Sequence, residues 1–129
     1  MAMEKKCFLI DDDIDDQEIF MMALEDIDMD INCVTANNGV EALKKLNSDP
    51  SFIPDYIFID INMPKMNGIE CLSEIKKLRH LSGVTIMMFS TSSDPEIISA
   101  SKKLGAMDFL IKPPGLKPLV QTLTKIFKI

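Results

Sequence analysis

The sequence predicts an α/β fold, a doubly wound sheet of five parallel strands with helices on both faces. Three observations carry this expectation. Short apolar runs alternate from end to end with stretches of helical period, the pattern of a parallel sheet whose crossovers are helices. Four of the runs end in polar residues on their C-terminal side: Cys7-Phe8-Leu9-Ile10 leads into Asp11, Tyr56-Ile57-Phe58-Ile59 into Asp60, Ile86-Met87-Met88-Phe89 into Ser90-Thr91, and Phe109-Leu110-Ile111 into Lys112-Pro113. In an open parallel sheet that edge is where ligands bind. No repeat, low-complexity segment or linker interrupts the 129 residues, so residues 1–129 are expected to form one domain, with no effector domain after Ile129.

The first strand is expected over residues 6–11. The helix after it keeps Ile19, Phe20, Ala23, Leu24 and Ile27 on one face, with Asp15 and Glu18 at capping-box spacing. A second strand, Ile31–Ala36, precedes Asn38-Gly39-Val40-Glu41, another cap pattern, and then Ala42, Leu43 and Leu46. Residues 47–54 contain two prolines and read as loop. The third strand is Tyr56–Asp60, and its polar turn ends at Asn67-Gly68, where Asn67 and Glu70 cap a helix carrying Ile69, Leu72, Ile75 and Leu78. The fourth strand is Thr85–Ser90. Asp94-Pro95 then supplies an N-cap and a first-turn proline, and Gly105 a left-handed C-terminal cap. The fifth strand is Asp108–Ile111, and the last helix opens at Pro118 and carries Leu119, Val120, Leu123, Ile126 and Phe127. Crossovers in such a sheet are right-handed. The expected order is the flavodoxin-like 2-1-3-4-5, one of the two common in such sheets; if it holds, strands one and three are neighbours at the topological switch point.

Composition narrows the function. Hydrophobic residues at 47% and charged residues at 26% suit a soluble globular protein. A net charge of −6, with lysines scattered in pairs, argues against nucleic acid as a partner. The first apolar run is too short for a signal peptide and no run reaches membrane-span length, so a cytoplasmic protein with no membrane partner is expected. Cys7, Cys33 and Cys71 are an odd, widely spaced set, expected as reduced thiols. The ten methionines read as core filler and adaptable surface, and the single histidine, His80, has no ligand-like neighbours in sequence.

The acidic run is the most informative feature. Five aspartates fall within residues 11–16. Asp13, Asp15 and Asp16 are expected to serve the dipole of the following helix. Asp11 and Asp12 close the strand itself, and with Asp60 they bring three carboxylates to one sheet edge. A hard cation with oxygen ligands relieves that repulsion, and Mg2+ suits it because it keeps waters and a phosphate oxygen. A carboxylate can also act as a nucleophile and form an acyl phosphate. Lys112 would then neutralise phosphoryl charge, and Ser90 would hydrogen-bond a phosphoryl oxygen. Calcium loops fail here: beginning at Asp11 or Asp26, the turn glycine would be Asp16 or Ile31 and the terminal glutamate Met22 or Asn37. A flavodoxin-like mononucleotide site fails too, because an acidic loop repels phosphate.

Ile10-Asp11-Asp12, the stretch from Asp60 to Gly68 (Asp-Ile-Asn-Met-Pro-Lys-Met-Asn-Gly), Ser90-Thr91, and the stretch from Gly105 to Pro113 together resemble the receiver domain of bacterial two-component response regulators, of the stand-alone, single-domain type. The resemblance implies a phosphorylation-dependent signalling switch. Asp60 would accept a phosphoryl group from the phosphohistidine of a histidine kinase or histidine phosphotransfer protein, and the domain would change its binding to an output protein or relay the group. By the same resemblance, Asp12, Asp60 and the backbone carbonyl of Asn62 are direct magnesium ligands and Asp11 acts through water. Lys112 is the lysine of the acidic pocket, Ser90 the switch hydroxyl and Phe109 the switch aromatic. The Lys112–Pro113 peptide is expected to be cis. Two departures stand out: Phe109 replaces the commoner tyrosine, and Thr91 stands where a small residue is frequent.

Such a domain is not a conventional enzyme, although self-catalysed phosphoryl uptake and slow autodephosphorylation are expected of it. The competing enzyme class, an aspartyl-phosphate hydrolase of the haloacid dehalogenase type, needs a second aspartate two residues after the first, where this chain has the non-titrating Asn62. A catalytically idle adaptor is disfavoured by the intact set of acidic residues.

Overall fold

The structure, a computed structural model, describes residues 4–91 and 94–127. Five parallel strands, β1 (Lys5–Ile10), β2 (Ile31–Ala36), β3 (Tyr56–Asp60), β4 (Thr85–Ser90) and β5 (Asp108–Ile111), lie in the order β2-β1-β3-β4-β5. Between and after them run α1 (Ile14–Glu25), α2 (Gly39–Ser48), α3 (Gly68–Lys76), a 3₁₀ turn at Arg79–Leu81, α4 (Pro95–Lys103) and α5 (Leu116–Phe127). The expected fold class and strand order are both present.

Alternate residues of each strand feed two separate cores. On one face Cys7, Leu9, Phe58, Met87 and Phe89 pack against Phe20, Ala23 and Leu24 of α1 and Leu119, Leu123 and Phe127 of α5. This face is aromatic: the Phe20 and Phe58 ring centroids stand 5.1 Å apart edge to face, and Tyr56 and Phe127 4.9 Å. On the other face Phe8, Ile10, Ile57, Ile59, Ile86 and Met88 meet Ala42 and Leu46 of α2 and Cys71, Leu72 and Ile75 of α3, with Ile97 and Leu104 of the α4 region partly buried beside them.

Several boundaries differ from the sequence reading. Strand β1 ends at Ile10 rather than Asp11, although the Asp11 amide still donates to the Ala36 carbonyl at 3.1 Å. Helix α1 is capped by Asp13, whose Oδ1 accepts from the Asp16 amide at 3.2 Å, because Asp15 is already inside the first turn. The expected Asp15–Glu18 box is therefore replaced by a cap two residues earlier. Helix α5 begins at Leu116, which places Pro118 at its third position, where an amide has no partner within the helix anyway. The other caps stand as read. Asn38 accepts from the Glu41 amide, Asn67 and Glu70 form both halves of a capping box, and Asp94 accepts from the Glu96 amide ahead of Pro95. Gly105 takes φ 103° just after α4.

The Lys112–Pro113 peptide is trans, against expectation. Trans is the cheaper isomer of an X–Pro bond, and the lysine reaches the sheet edge without a cis turn, because the Lys112 amide donates to the Ser90 carbonyl at 2.7 Å. This carries the β4–β5 pairing one residue past the strand and delivers the lysine to the sheet edge. The turn falls later, at Gly115, which has φ 100°.

Candidate functional site

Register alone gathers the polar strand ends. Ile10 pairs with Ile59, so Asp11 and Asp60 stand level at the ends of adjacent strands. Asp60 pairs with Phe89, which puts Ser90 one step beyond it, and Ser90 pairs with Ile111, which puts Lys112 one step beyond again. The two-residue alternation of a strand sends Asp11, Asp60 and Lys112 to the α1/α5 side, like Leu9, Phe58 and Leu110. The same alternation puts Ser90 and Phe109 on the opposite side, that of Met88.

The β3–α3 turn is set by backbone contact. The Gly68 amide donates to the Ile61 carbonyl at 2.9 Å, and a Cβ added at Gly68 would stand 2.4 Å from the Asp60 carbonyl oxygen. No residue with a side chain fits there without moving Asp60. Glycine is thus required by close approach and not by an unusual φ.

Lys112 organises the charges. Its Nζ lies 2.8 Å from Asp16 Oδ2, 3.0 Å from Asp11 Oδ2 and 3.5 Å from Asp60 Oδ1. It also stands 5.6 Å from the centroid of the Phe89 ring, whose face favours a cation. Asp11 is 1% exposed and Asp60 6%, whereas Asp12 is exposed. Both Asp11 oxygens are engaged, since Oδ1 accepts from the Asp13 amide at 3.0 Å. Carboxylate oxygens of Asp11, Asp12 and Asp60 all fall within 4.8 Å of one another. Three carboxylates therefore contact one ammonium, and the cluster of Asp11, Asp12 and Asp60 is compatible with a divalent cation.

The titration of these groups reflects that crowding. Burial, opposed by the Lys112 charge and reinforced by Asp11 and Asp12, pushes the Asp60 carboxyl up to about 7. Burial also raises Asp11, against the Asp13 amide and Lys112. Burial by itself would lower Lys112, but Asp16, Asp11 and Asp60 outweigh it and hold the ammonium above the usual lysine range.

The residues singled out in the sequence mostly assemble as expected. Asp11, Asp12, Asp60 and Lys112 converge, and Ser90 is buried at the adjoining strand end. Asn62 follows Asp60 in an exposed turn, and Phe109 is half-buried against the core on the α3/α4 side. Two residues were missed. Asp16, read as a dipole acid, is the nearest partner of Lys112; its spacing of four from the buried Phe20 was the available signal that it faces the sheet. Gln17 is buried, and its Nε2 donates to the Asp11 carbonyl at 2.6 Å and to Asn37 Oδ1 at 2.9 Å, tying the β1–α1 loop to the β2–α2 loop.

The sequence and the fold are similar to those of known proteins. Residues 7–124 match the response regulator receiver domain family. The chain is 37% identical over 123 residues to the transcriptional regulatory protein CpxR homolog of Haemophilus influenzae, covering 95% of this chain and 50% of that protein. It thus spans about half the length of that curated relative. Among solved structures, the phosphorylated cyanobacterial phytochrome response regulator RcpA superposes with a TM-score of 0.88 at 30% identity, covering 98% of this chain and 93% of that one. The Mn(2+)-bound form of response regulator Rcp1 does so with a TM-score of 0.85 at 26% identity, covering 97% and 93%. With the fold, the strand-end residues and the family match in agreement across nearly its whole length, the chain belongs to the response regulator receiver domain family.

Proposed function

We propose that the chain is a phosphorylation-dependent signalling switch whose phosphoacceptor is Asp60, working in the cytoplasm with a histidine kinase or histidine phosphotransfer protein as donor. The observation that carries this reading is the Lys112 ammonium 3.5 Å from Asp60 Oδ1, beside Asp11 and Asp12. An Asp60 oxygen attacks the phosphorus of a phosphohistidine, the O–P bond forms as the P–N bond breaks, and the departing imidazole nitrogen keeps the electron pair. Lys112 balances charge on the transferred group, and the Ser90 hydroxyl donates to one of its oxygens.

Magnesium is the cation we assign, with Asp12, Asp60 and the Asn62 backbone carbonyl as direct ligands. When bound, it supplies positive charge to the phosphoryl oxygens and relieves the repulsion between carboxylates. Exposure of Asp12 supports a direct role for it, and the two occupied oxygens of Asp11 support action through water. That solved relatives are described as phosphorylated and as Mn(2+)-bound is consistent with the same chemistry here.

The test is incubation with acetyl phosphate and magnesium, followed by intact mass and site mapping. Uptake of one phosphoryl group is expected in the wild type and none in Asp60→Asn, with the fold preserved in both. Equal labelling of Asp60→Asn would overturn the assignment.

A further inference from the structure

We propose that Asp16 is a positioning residue that clamps Lys112 in the resting state and must release it when a phosphoryl group arrives, an inference that rests on the phosphoacceptor reading of Asp60. Three carboxylates compete for one ammonium with three N–H donors, and Asp16 holds the shortest contact at 2.8 Å, while Asp60 has the longest at 3.5 Å. The lysine therefore rests closer to Asp16 of α1 than to the residue it would serve.

The surroundings decide which contact yields. Asp11 is 1% exposed, so loss of its lysine contact would leave a buried carboxylate without water. The Asp16 side chain is 37% exposed. A small cavity of roughly 120 Å³ opens beside it, lined by Asp16, Phe89, Lys112 and Pro113 among others. Asp16 can be rehydrated there without repacking the core. New oxygens on Asp60 thus draw Nζ away from Asp16 first, and Asp16 opposes them by as much as its ion pair is worth.

The clamp has a signature that a merely structural residue lacks: its removal should strengthen the phosphorylated-like state. In the presence of magnesium, Asp16→Asn is expected to bind beryllofluoride about two- to fivefold more tightly than wild type, the scale of a partly exposed ion pair. Uptake from acetyl phosphate should accelerate to a similar degree. Asp15→Asn removes the same charge from an exposed neighbouring position and is expected to behave as wild type. Asp16→Glu should return affinity toward the wild-type value. The gain from Asp16→Asn should vanish in a Lys112→Gln background, because the two residues act through one contact.

Equal effects of Asp16→Asn and Asp15→Asn would reduce the role of Asp16 to general charge and overturn the clamp, as would a gain that persists without Lys112. Weaker binding by Asp16→Asn, with an unchanged melting curve, would also overturn it. A wild-type protein that binds no beryllofluoride at all would instead overturn the phosphoacceptor reading, and this inference with it.

Discussion

The two faces of the sheet are built differently. The α1/α5 face is anchored by interlocking aromatic rings: Phe20, Phe58, Phe89 and Phe127 are all at most 4% exposed, and α1 and α5 each bury three or four residues against them. The far corner of the other face is thinner. Helix α4 buries only Ser101 fully, β5 is four residues long and has no fully buried residue, and Phe109 is half-buried. The acidic site lies over the well-packed side, where Asp11, Asp60 and Lys112 need fixed distances. Ser90 and Phe109 point toward the thin side, where a small change in contacts can move an element. The acidic cluster and the Ser90–Phe109 pair thus occupy opposite faces, joined through β4 and β5.

Truncation is the harshest way to probe this contrast. Phe58→Ala, in the middle of the aromatic face, should cost about 3–5 kcal/mol, the usual scale for a fully buried ring. Phe109→Ala should cost clearly less, because its ring is only partly removed from water. Urea unfolding of the two variants measures the ratio, and equal losses would erase the proposed asymmetry. Gly68→Ala comes next. Its added methyl would meet the Asp60 carbonyl at 2.4 Å, so the turn must shift, at about 1–3 kcal/mol by comparison with overpacked sites. That variant should also bind magnesium more weakly, since the displaced backbone carries Asp60. Isothermal titration on a folded sample checks the second part.

A smaller effect comes from charge. Burial holds the Asp60 proton up to a pH of about 7 in the folded chain, whereas an unfolded aspartate releases it near 3.9. Between those limits folding takes up a proton, so stability must fall as pH rises through the window and level off above it. Asp60→Asn removes this dependence. Without metal, thermal melts should show the variant gaining on wild type from pH 5 to pH 8, and added magnesium should narrow the gap. A gap that stays constant from pH 5 to pH 8 would show that Asp60 is already ionised at the low end.

The strand-end aspartates, the hydroxyl and the lysine were legible because strands are short and period-two alternation fixes both level and side. Four of the five strands fell on their expected residues, and β1 missed by one, where an acidic residue continued the hydrogen bonding without joining the strand. Less legible was whatever depended on a contact between distant segments. Asp16 looked like a helix-dipole acid because its partner lies 96 residues away. Gln17 resembled any polar residue of a first turn until Asn37 and the Asp11 carbonyl were brought beside it. The Lys112–Pro113 isomer was misjudged because the strand ladder, which extends through the Lys112 amide, is not visible in a Lys-Pro-Pro-Gly string.

The finest effect expected is the coupling of Ser90 to Phe109. Both lie on the same side of the sheet, on adjacent strands, with Phe109 paired to Met88 and Ser90 two residues further along β4. If the Ser90 hydroxyl moves toward a phosphoryl group on Asp60, space opens along β4, and a ring without a hydroxyl can gain there only by burial. Full burial of a phenylalanine is worth about 1.5–3 kcal/mol, but the half-buried Phe109 already has part of that. The unburied remainder corresponds to roughly 0.5–1 kcal/mol on the same scale, which shifts a two-state equilibrium only about two- to fivefold. Phosphorylation should therefore bias the α4–β5 corner without locking it. A partner that prefers the inward ring must supply the rest, and by reciprocity it would favour the phosphorylated form to the same extent. NMR of the Phe109 ring with beryllofluoride, in wild type and in Ser90→Ala, measures the bias. A shift of the expected size that is lost in Ser90→Ala supports this route, whereas an equal shift in both proteins would mean that the signal leaves the domain without passing through the Ser90 hydroxyl.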